Sequence, residues 1–552
     1  MTGKTSATLT RAEADALVGQ HGSQRKAAKE SGFSKSAIGR AQARSPRAVE
    51  SASIGKANRG EEEPVIRGHN NARKAKRFRR PPKGGVFRYV LTCAQNNTKL
   101  HEETWWSLQT LAAHYGAVIM VSRFTYDKNV RGANGAKPDT GEDGNASLWY
   151  DPRIDEHVND GRVTLAPGLV WCGEMNILPT AVRPLSGLEA YTGRDAGIFP
   201  HAKIAMESIA SGKHEGVKFN YTTGTITQRN YIAKKAGLKA EFHHCYGAVL
   251  VEVNDKGQWW CRQLNADSDG VIYDLDMQFD GGHAVRNQGV EAISWGDIHV
   301  AQMNDAVYAA SWGVEASMID ALKPAHQFMH DLLDFQARNH HSFKNPHVQF
   351  RRHVEGTGDV KQEIIDAVDF LALAHRDFCK TVVVDSNHDN ALTRWLREAD
   401  YKYDPLNAVT FLELQLAKYE SIRDGNDLHV LEYAARRYGS DVEIQGLTFL
   451  REDESYIICP DAKGGIECGM HGHLGANGAR GSAGGFAKMG RKAVVGHSHS
   501  AGIVDGVYVG GVSGNLDQGY NRGPSSWSHS HVVCYPNGKR AIVTIWKGKW
   551  RA

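Results

Sequence analysis

The sequence predicts an α/β fold with a basic arm at its N-terminus. Strand-length apolar runs alternate with helix-period stretches, several runs end in Asp, Asn or His, and positive charge is concentrated in the first 88 residues. Phe87-Arg88-Tyr89-Val90-Leu91-Thr92 reads as a strand, 102–115 as a helix and Ala117-Val118-Ile119-Met120-Val121 as a buried strand. A Gly/Asn/Asp-rich stretch over 128–145 reads as a surface loop, and Ala248-Val249-Leu250-Val251-Glu252-Val253 as a further strand. Residues 360–378 have helical period and lead into the short buried strand Thr381-Val382-Val383-Val384. With 552 residues, 41% hydrophobic and 23% charged, the chain has the composition of a globular protein of about two to four domains.

Charge and composition divide the chain further. Residues 1–88 hold 20 Lys/Arg against 7 Asp/Glu, whereas the remainder holds 46 against 55. Residues 1–44 read as a helical hairpin or a helix-turn-helix: Ser23 to Ser31 as helix, Gly32 as the turn, Ser34 as the cap of a second helix. Residues 45–85 read as a flexible basic linker, with the run Arg73-Lys74-Ala75-Lys76-Arg77-Phe78-Arg79-Arg80-Pro81-Pro82-Lys83. A cation that neutralises a phosphate releases counterions, so such an arm suits a polyanion; a solubilising tether is the competing reading. Residues 86–290 are expected to form a mixed α/β accessory domain without an assignable motif, and His243-His244-Cys245 within it reads as ordinary interior.

Several classes are excluded. No apolar run approaches the roughly 20 residues that cross a bilayer, and residues 1–22 lack a signal-peptide core. A cytoplasmic protein without membrane contact is therefore expected. The eight cysteines show no CxxC spacing and read as reduced thiols.

Chemistry-bearing motifs crowd residues 291–552. Glu291-Ala292-Ile293-Ser294-Trp295 leads into Gly296-Asp297-Ile298-His299, which puts a carboxylate and an imidazole at a strand end. Then come His330-Asp331-Leu332-Leu333-Asp334, Asp385-Ser386-Asn387-His388-Asp389-Asn390 after the 381–384 strand, Gly469-Met470-His471-Gly472-His473, and Gly496-His497-Ser498-His499 after Lys492-Ala493-Val494-Val495. Strand ends of an α/β protein are where ligands converge. A mixed set of carboxylate, amide and imidazole without thiolate suits manganese, iron or zinc, and the imidazoles disfavour magnesium or calcium alone.

In that order the five motifs resemble the calcineurin-like metallophosphoesterase superfamily, over about half of the chain. The family pattern is Asp-x-His, Gly-Asp-x-x-Asp, Gly-Asn-His-Asp/Glu, a lone His, then Gly-His-x-His. Here His330 replaces the Gly before Asp331 and Ser386 the Gly before Asn387; both glycines shape backbone rather than bind metal. The resemblance implies a four-layer αββα sandwich over residues 291–552 and two divalent metal ions, manganese foremost, with magnesium, iron or zinc as alternatives. It implies that Asp331 bridges them, with Asp297, His299 and His499 on one ion and Asn387, His471 and His497 on the other. His471 is preferred to His473 because the family uses the His directly before Gly at a strand end. A bridging hydroxide would attack phosphorus, His388 would protonate the leaving oxygen, Asp389 would orient His388, and Asp334 would support the ligands.

Candidate phosphate contacts follow the second motif: Arg338 and His340, then Arg351 and Arg352. The motifs fix the chemistry and leave the substrate open. The basic arm favours DNA, and the overall layout also resembles the pre-early host-DNA-degrading proteins of large lytic tailed phages. The leading expectation is a manganese-dependent DNase in the bacterial cytoplasm. Its rivals are a small-substrate phosphatase or phosphodiesterase and a non-catalytic DNA-binding host-takeover protein. Self-association into a homo-oligomer is left open.

Overall fold

Neighbouring residues of a strand point to opposite faces, and this alternation decides where the central sheet sits. A computed structural model of the chain describes residues 11–22, 27, 78–126 and 149–552, apart from 287, 315, 340, 341, 440–445 and 463. Six strands hydrogen-bond in the order Leu447–Phe449, Lys380–Val383, His326–Met329, Ala292–Ser294, Ser530–Cys534 and Arg540–Thr544. The first four run parallel; the last two pair antiparallel. Ile293, Met329, Val383 and Val533 enter a cluster with side chains of the helices Asp305–Trp312, Val360–Ala374, Asn390–Glu398 and Val430–Tyr438. Their neighbours Ala292, Phe328, Val382 and Val532 enter a second cluster, shared with Ile466, Val494, Ile503 and Tyr508 of another sheet. Burial on both faces is why these strands read as continuous apolar runs.

The other sheet has ten strands, in the order Ile457–Ile458, Ile466–Glu467, Lys492–Val495, Val507–Val509, Gly502–Val504, Met206–Ile209, Lys218–Thr222, Ala196–Phe199, Leu169–Cys172 and Arg162–Ala166. Its last five strands precede residue 290, so one hydrogen-bonded sheet runs across the domain boundary expected at 290/291. The link is the antiparallel pairing of Met206–Ile209 with Gly502–Val504. It covers what would otherwise be an open sheet edge. Strands of two to five residues carry too little period to reveal such a pairing in advance.

A four-stranded sheet, Val118–Phe124, Val86–Gln95, Gly247–Asn254 and Trp259–Asn265, contributes Leu91, Met120, Val249 and Val251 to the shared cluster. Its opposite face packs on the helix Glu102–Tyr115 through Val90, Leu108, Leu111 and Leu250. His101 caps that helix by accepting from the Thr104 N–H, and Gly116 ends it at φ 61°, a conformation that Gly reaches without a Cβ clash. The α/β class, this helix and the three expected strands around it are all present. So are the expected helix over 360–378, as Val360–Ala374, and the strand after it.

Residues 1–70 form a separate unit, in which the helix Arg11–His21 is described. Apart from Ala27, the helix-turn-helix expected over 23–38 and the linker over 45–77 lie outside the described residues, as does the loop over 128–145. No described helix is long and apolar enough to cross a membrane.

One buried ion cluster braces the four-stranded sheet. Arg262, 3% exposed, donates to both Asp274 oxygens (2.7 and 3.0 Å) and to Glu252 (2.7 Å), and Arg88 donates to the other Glu252 oxygen at 2.9 Å. Arg262→Ala would leave the buried Asp274 carboxylate without its cation and Glu252 with Arg88 alone, and should lower the unfolding free energy by ~3–5 kcal/mol, read as a fall in the urea midpoint. Burial works against the Glu252 charge, but Arg262 and then Arg88 hold its carboxyl down at about 2, below the ordinary 4.5. A depressed carboxyl stabilises fully above its unfolded value and loses that contribution as pH falls. The gap between wild type and Arg262→Ala should therefore narrow from pH 4.5 toward about 2.

Candidate metal centre

The motif residues converge where strands of the six- and ten-stranded sheets end. Asp297, Asp331 and Asn387 follow the parallel strands Ala292–Ser294, His326–Met329 and Lys380–Val383, while His471 and His497 follow Ile466–Glu467 and Lys492–Val495. Backbone bonds prolong the ladders into the loops: His299 N–H donates to the Asp331 carbonyl (2.8 Å), Asp297 N–H to that of Gly511 (3.0 Å) and Gly496 N–H to that of His471 (2.7 Å). His299, Asp331, His497 and His499 adopt φ of 49°, 47°, 70° and 55°. A non-glycine residue in the left-handed region costs roughly 1–3 kcal/mol and persists only where its surroundings impose it, commonly at functional sites. Gly496 is required by close approach, because a Cβ there would lie 2.1 Å from Asp297 Oδ1.

Two groups of side chains share Asp331. In the first, Asp297, His299, Asp331 and His499 each bring one ligand atom, all within 4.8 Å of one another. His499 Nε2 lies 3.1 Å from Asp297 Oδ2 and 3.1 Å from His299 Nε2, a facing imidazole pair that needs a proton or a cation between them. In the second, Asn387 Oδ1 lies 3.0 Å from both His471 Nε2 and His497 Nδ1, and His471 Nε2 is 3.3 Å from Asp331 Oδ2. His473 stands one ring further out, 5.3 Å from His471 between centroids, so the contacts to Asn387 and Asp331 belong to His471.

Burial makes this cluster electrostatically incomplete. Asp297 and His299 are fully buried, and Asp297 Oδ1, Asp331 Oδ2, His471 Nδ1 and His499 Nδ1 have no hydrogen-bond partner. Burial opposes the charge on Asp331, yet the His471 and His388 imidazoles hold its carboxyl far below the usual range. Buried carboxylates normally sit against a counter-charge. Orphaned oxygens among imidazole nitrogens, with no thiolate, form a set able to hold a metal ion.

His388 lies beside the first group, with its ring 4.6 Å from that of His299. Its Nδ1 is 3.0 Å from the Asp334 carbonyl and 3.3 Å from the Asp334 carboxylate. A carbonyl only accepts, so Nδ1 carries a proton and Nε2 is the nitrogen left for other partners. Burial lowers its basicity, but Asp331 first and Asp334 next raise its pKa to about 10. Asp389, expected to orient His388, instead accepts from Leu333 N–H (2.8 Å), Leu332 N–H (3.3 Å) and the Ser386 hydroxyl (2.7 Å). It ties the 331–334 loop to the 386–390 turn. Asp334 fills the expected role, and its Oδ1 also lies 3.1 Å from His299 Nδ1.

The substrate contacts divide. Arg338 is nearly buried and spent on Asp404 and the carbonyls of Ala337 and Gly358, so it is not a free phosphate ligand. An internal pair satisfies a guanidinium as fully as a phosphate does, and the sequence did not show Asp404 as its partner. Arg351 is exposed; Arg352 is half-buried, donates to Ser342 at 2.9 Å and keeps Nη1 without a partner. His340 lies outside the described residues.

Both departures from the family pattern are absorbed by hydrogen bonds. His330 is fully buried with Nε2 3.1 Å from Ser294 Oγ, and Ser386 Oγ bonds both the carboxylate and the backbone of Asp389. Two contributors escaped sequence reasoning. His531 accepts the Gly296 N–H on Nδ1 (2.9 Å) and so fixes the first motif, and Trp527 packs edge-on to His499 with ring centroids 4.2 Å apart. His531 sits in His529-Ser530-His531, which reads in the sequence as strand-edge structure, and Trp527 sits in no motif, so only distance in space reveals their contact with the site.

Because Asp331 borders both groups, Mn²⁺ at about 100 times its dissociation constant should stabilise the wild type by ~2.7 kcal/mol. Asp331→Asn should lose that gain in a thermal-melt titration and lose bound metal in elemental analysis. Asp334→Asn should bring the His388 imidazole, followed by NMR in metal-free protein, from about 10 toward its ordinary 6.5.

No family model matches the chain, and no solved structure matches it. Protein A1 of Escherichia phage T5 is 40% identical over 476 residues, which cover 84% of this chain and 83% of that protein. At that identity and coverage the chain belongs to the same family as the phage T5 Protein A1.

Proposed function

We propose that the chain is a metal-dependent phosphodiester hydrolase of the calcineurin-like metallophosphoesterase type, acting on DNA in the cytoplasm of an infected bacterium. The observation that carries this reading is a buried group of four ligand atoms beside a second, partly buried group with Asp331 in common. Asp297, His299, His499 and Asp331 would hold one divalent ion, and Asn387, His471, His497 and Asp331 the other. Such ions supply positive charge for phosphoryl oxygens and acidify water, manganese being the first choice and magnesium, iron or zinc the alternatives.

The chain's own groups do the rest. His388 holds a proton on Nε2 when charged, since Nδ1 is committed to Asp334, and it delivers that proton to the leaving oxygen. Asp334 fixes the ring and favours its charged form, while Asp389 keeps the two loops in register. A cavity of about 370 Å³ opens beside His497, bounded by Gly472, Gly496, Phe486 and Glu207, and gives the groups on the His497 side a way out to solvent.

DNA as substrate is supported by the excess of 20 Lys/Arg over 7 Asp/Glu in residues 1–88 and by the phage relative. The arm would add salt-sensitive, sequence-independent affinity.

The test is cleavage of supercoiled and linear duplex DNA with Mn²⁺, set beside turnover of p-nitrophenyl phosphate esters. Wild type should cut DNA, and His388→Gln should cut ~10²–10⁴-fold more slowly with unchanged metal content. Turnover of the small esters without DNA cleavage would move the substrate to a small phosphoester. Full activity in His388→Gln would remove the proton-donor role.

A further inference from the structure

Away from the metal residues, a cavity of about 450 Å³ opens between the helix Lys235–Phe242 and segments 487–492, 503–508 and 538–540. Its charged lining is Lys203, Arg491, Lys492, Lys539 and Arg540 against one carboxylate, Asp505. Asp505 is taken by Lys203, with His243 at 3.7 Å, and Arg491 lies 3.9 Å from Glu467. Lys492 donates to the Ala462 carbonyl at 2.9 Å. Arg540 is 5% exposed; its Nη1 donates to the Ala493 and Gly506 carbonyls (2.9 Å each), its guanidinium lies 4.3 Å over the Tyr508 ring, and its Nε has no partner. Among the described residues no carboxylate lies within 4.0 Å of Arg540 or Lys539.

A guanidinium this deeply buried is usually set against a negative charge. Here the open side of the cavity is where that charge can come from, and phosphate oxygens are the acceptors that Arg and Lys hold most strongly. The rim adds a second, different feature. Phe242 ends its helix 84% exposed, an apolar face left in water beside cations. Aromatic faces beside cationic grooves take nucleobases by stacking, and the volume is that of a small-ligand site.

We infer that this cavity binds a nucleoside phosphate, with the phosphate at Lys539 and Arg540 and the base against Phe242. The same chemistry is presented by a free mononucleotide and by a nucleotide unit of a single DNA strand. The site stands apart from the metal residues and does not rest on the hydrolase reading.

Calorimetry on the full-length, metal-loaded protein tests it with three probes: 2′-deoxyadenosine 5′-monophosphate, inorganic phosphate and a short single-stranded oligonucleotide. Phe242→Ala should weaken the mononucleotide about 5- to 100-fold and leave inorganic phosphate unchanged. Lys539→Glu should abolish the mononucleotide and phosphate binding that persists in Asp331→Asn, with Lys539→Gln read in its place if the charge reversal lowers the melting temperature. Asp331→Asn should keep both. Oligonucleotide binding weakened in parallel by Phe242→Ala assigns the site to a strand, and an unaffected oligonucleotide assigns it to the free nucleotide; either supports the site. Mononucleotide binding that is absent from wild type, that survives both Lys539 variants, that ignores Phe242→Ala, or that vanishes in Asp331→Asn overturns it.

Discussion

Negative charge is buried at Asp331 and Asp297, and the surrounding structure is arranged to meet it. The two carboxylates lie in one group of ligand atoms, and both repel any further negative charge brought near. At about 4 Å and an effective dielectric near 20, each unit pair of opposite charges is worth ~4 kcal/mol. The imidazoles of His299, His388, His471 and His499 are the nearby groups able to carry positive charge, and they can do so only by holding protons in a buried seam. Cations answer the same need without that burden. Four of the residues that would hold them, His299, Asp331, His497 and His499, adopt a left-handed backbone conformation, as strained residues at functional sites commonly do.

Legibility in the sequence followed length and contact range. The residues that meet at the site were legible because each motif is local: a short buried strand followed within four residues by Asp, Asn or His. The helix Val360–Ala374 was legible by its period, and Glu102–Tyr115 by its period and acidic first turn. Partner choice was not. Nothing local distinguishes Asp334 from Asp389 as the neighbour of His388, because the first reaches it across more than fifty residues while the second, adjacent in sequence, turns to backbone N–H groups. Arg338 failed for the same reason, its carboxylate partner Asp404 being 66 residues away.

Asp334 and Asp389 together show how the site is stiffened. Asp334 joins His299 of the first motif to His388 of the third, while Asp389 joins the third motif to the backbone of the second. Three loops are thereby cross-tied by side chains from the second and third motifs before any metal is considered. Ser386 strengthens the tie, since its hydroxyl bonds the Asp389 carboxylate at 2.7 Å. A glycine at that position would supply backbone freedom; a serine supplies a fixed acceptor and donor. The substitution is consistent with a turn held by side chains rather than by conformational latitude.

The ten-stranded sheet extends this logic to residues before 290. Its strands carrying His471 and His497 lie on one side of Gly502–Val504, and Met206–Ile209 with the four strands beyond it lies on the other. Met206, Phe219, Tyr221 and Trp171 belong to the same apolar cluster as Val494 and Ile503, and that cluster backs the six-stranded sheet through Phe328 and Val382. Removing residues 162–222 would open the edge of the sheet that presents His471 and His497 and would expose their shared cluster to water. The earlier half of the chain is therefore part of what holds the clustered Asp and His residues in place.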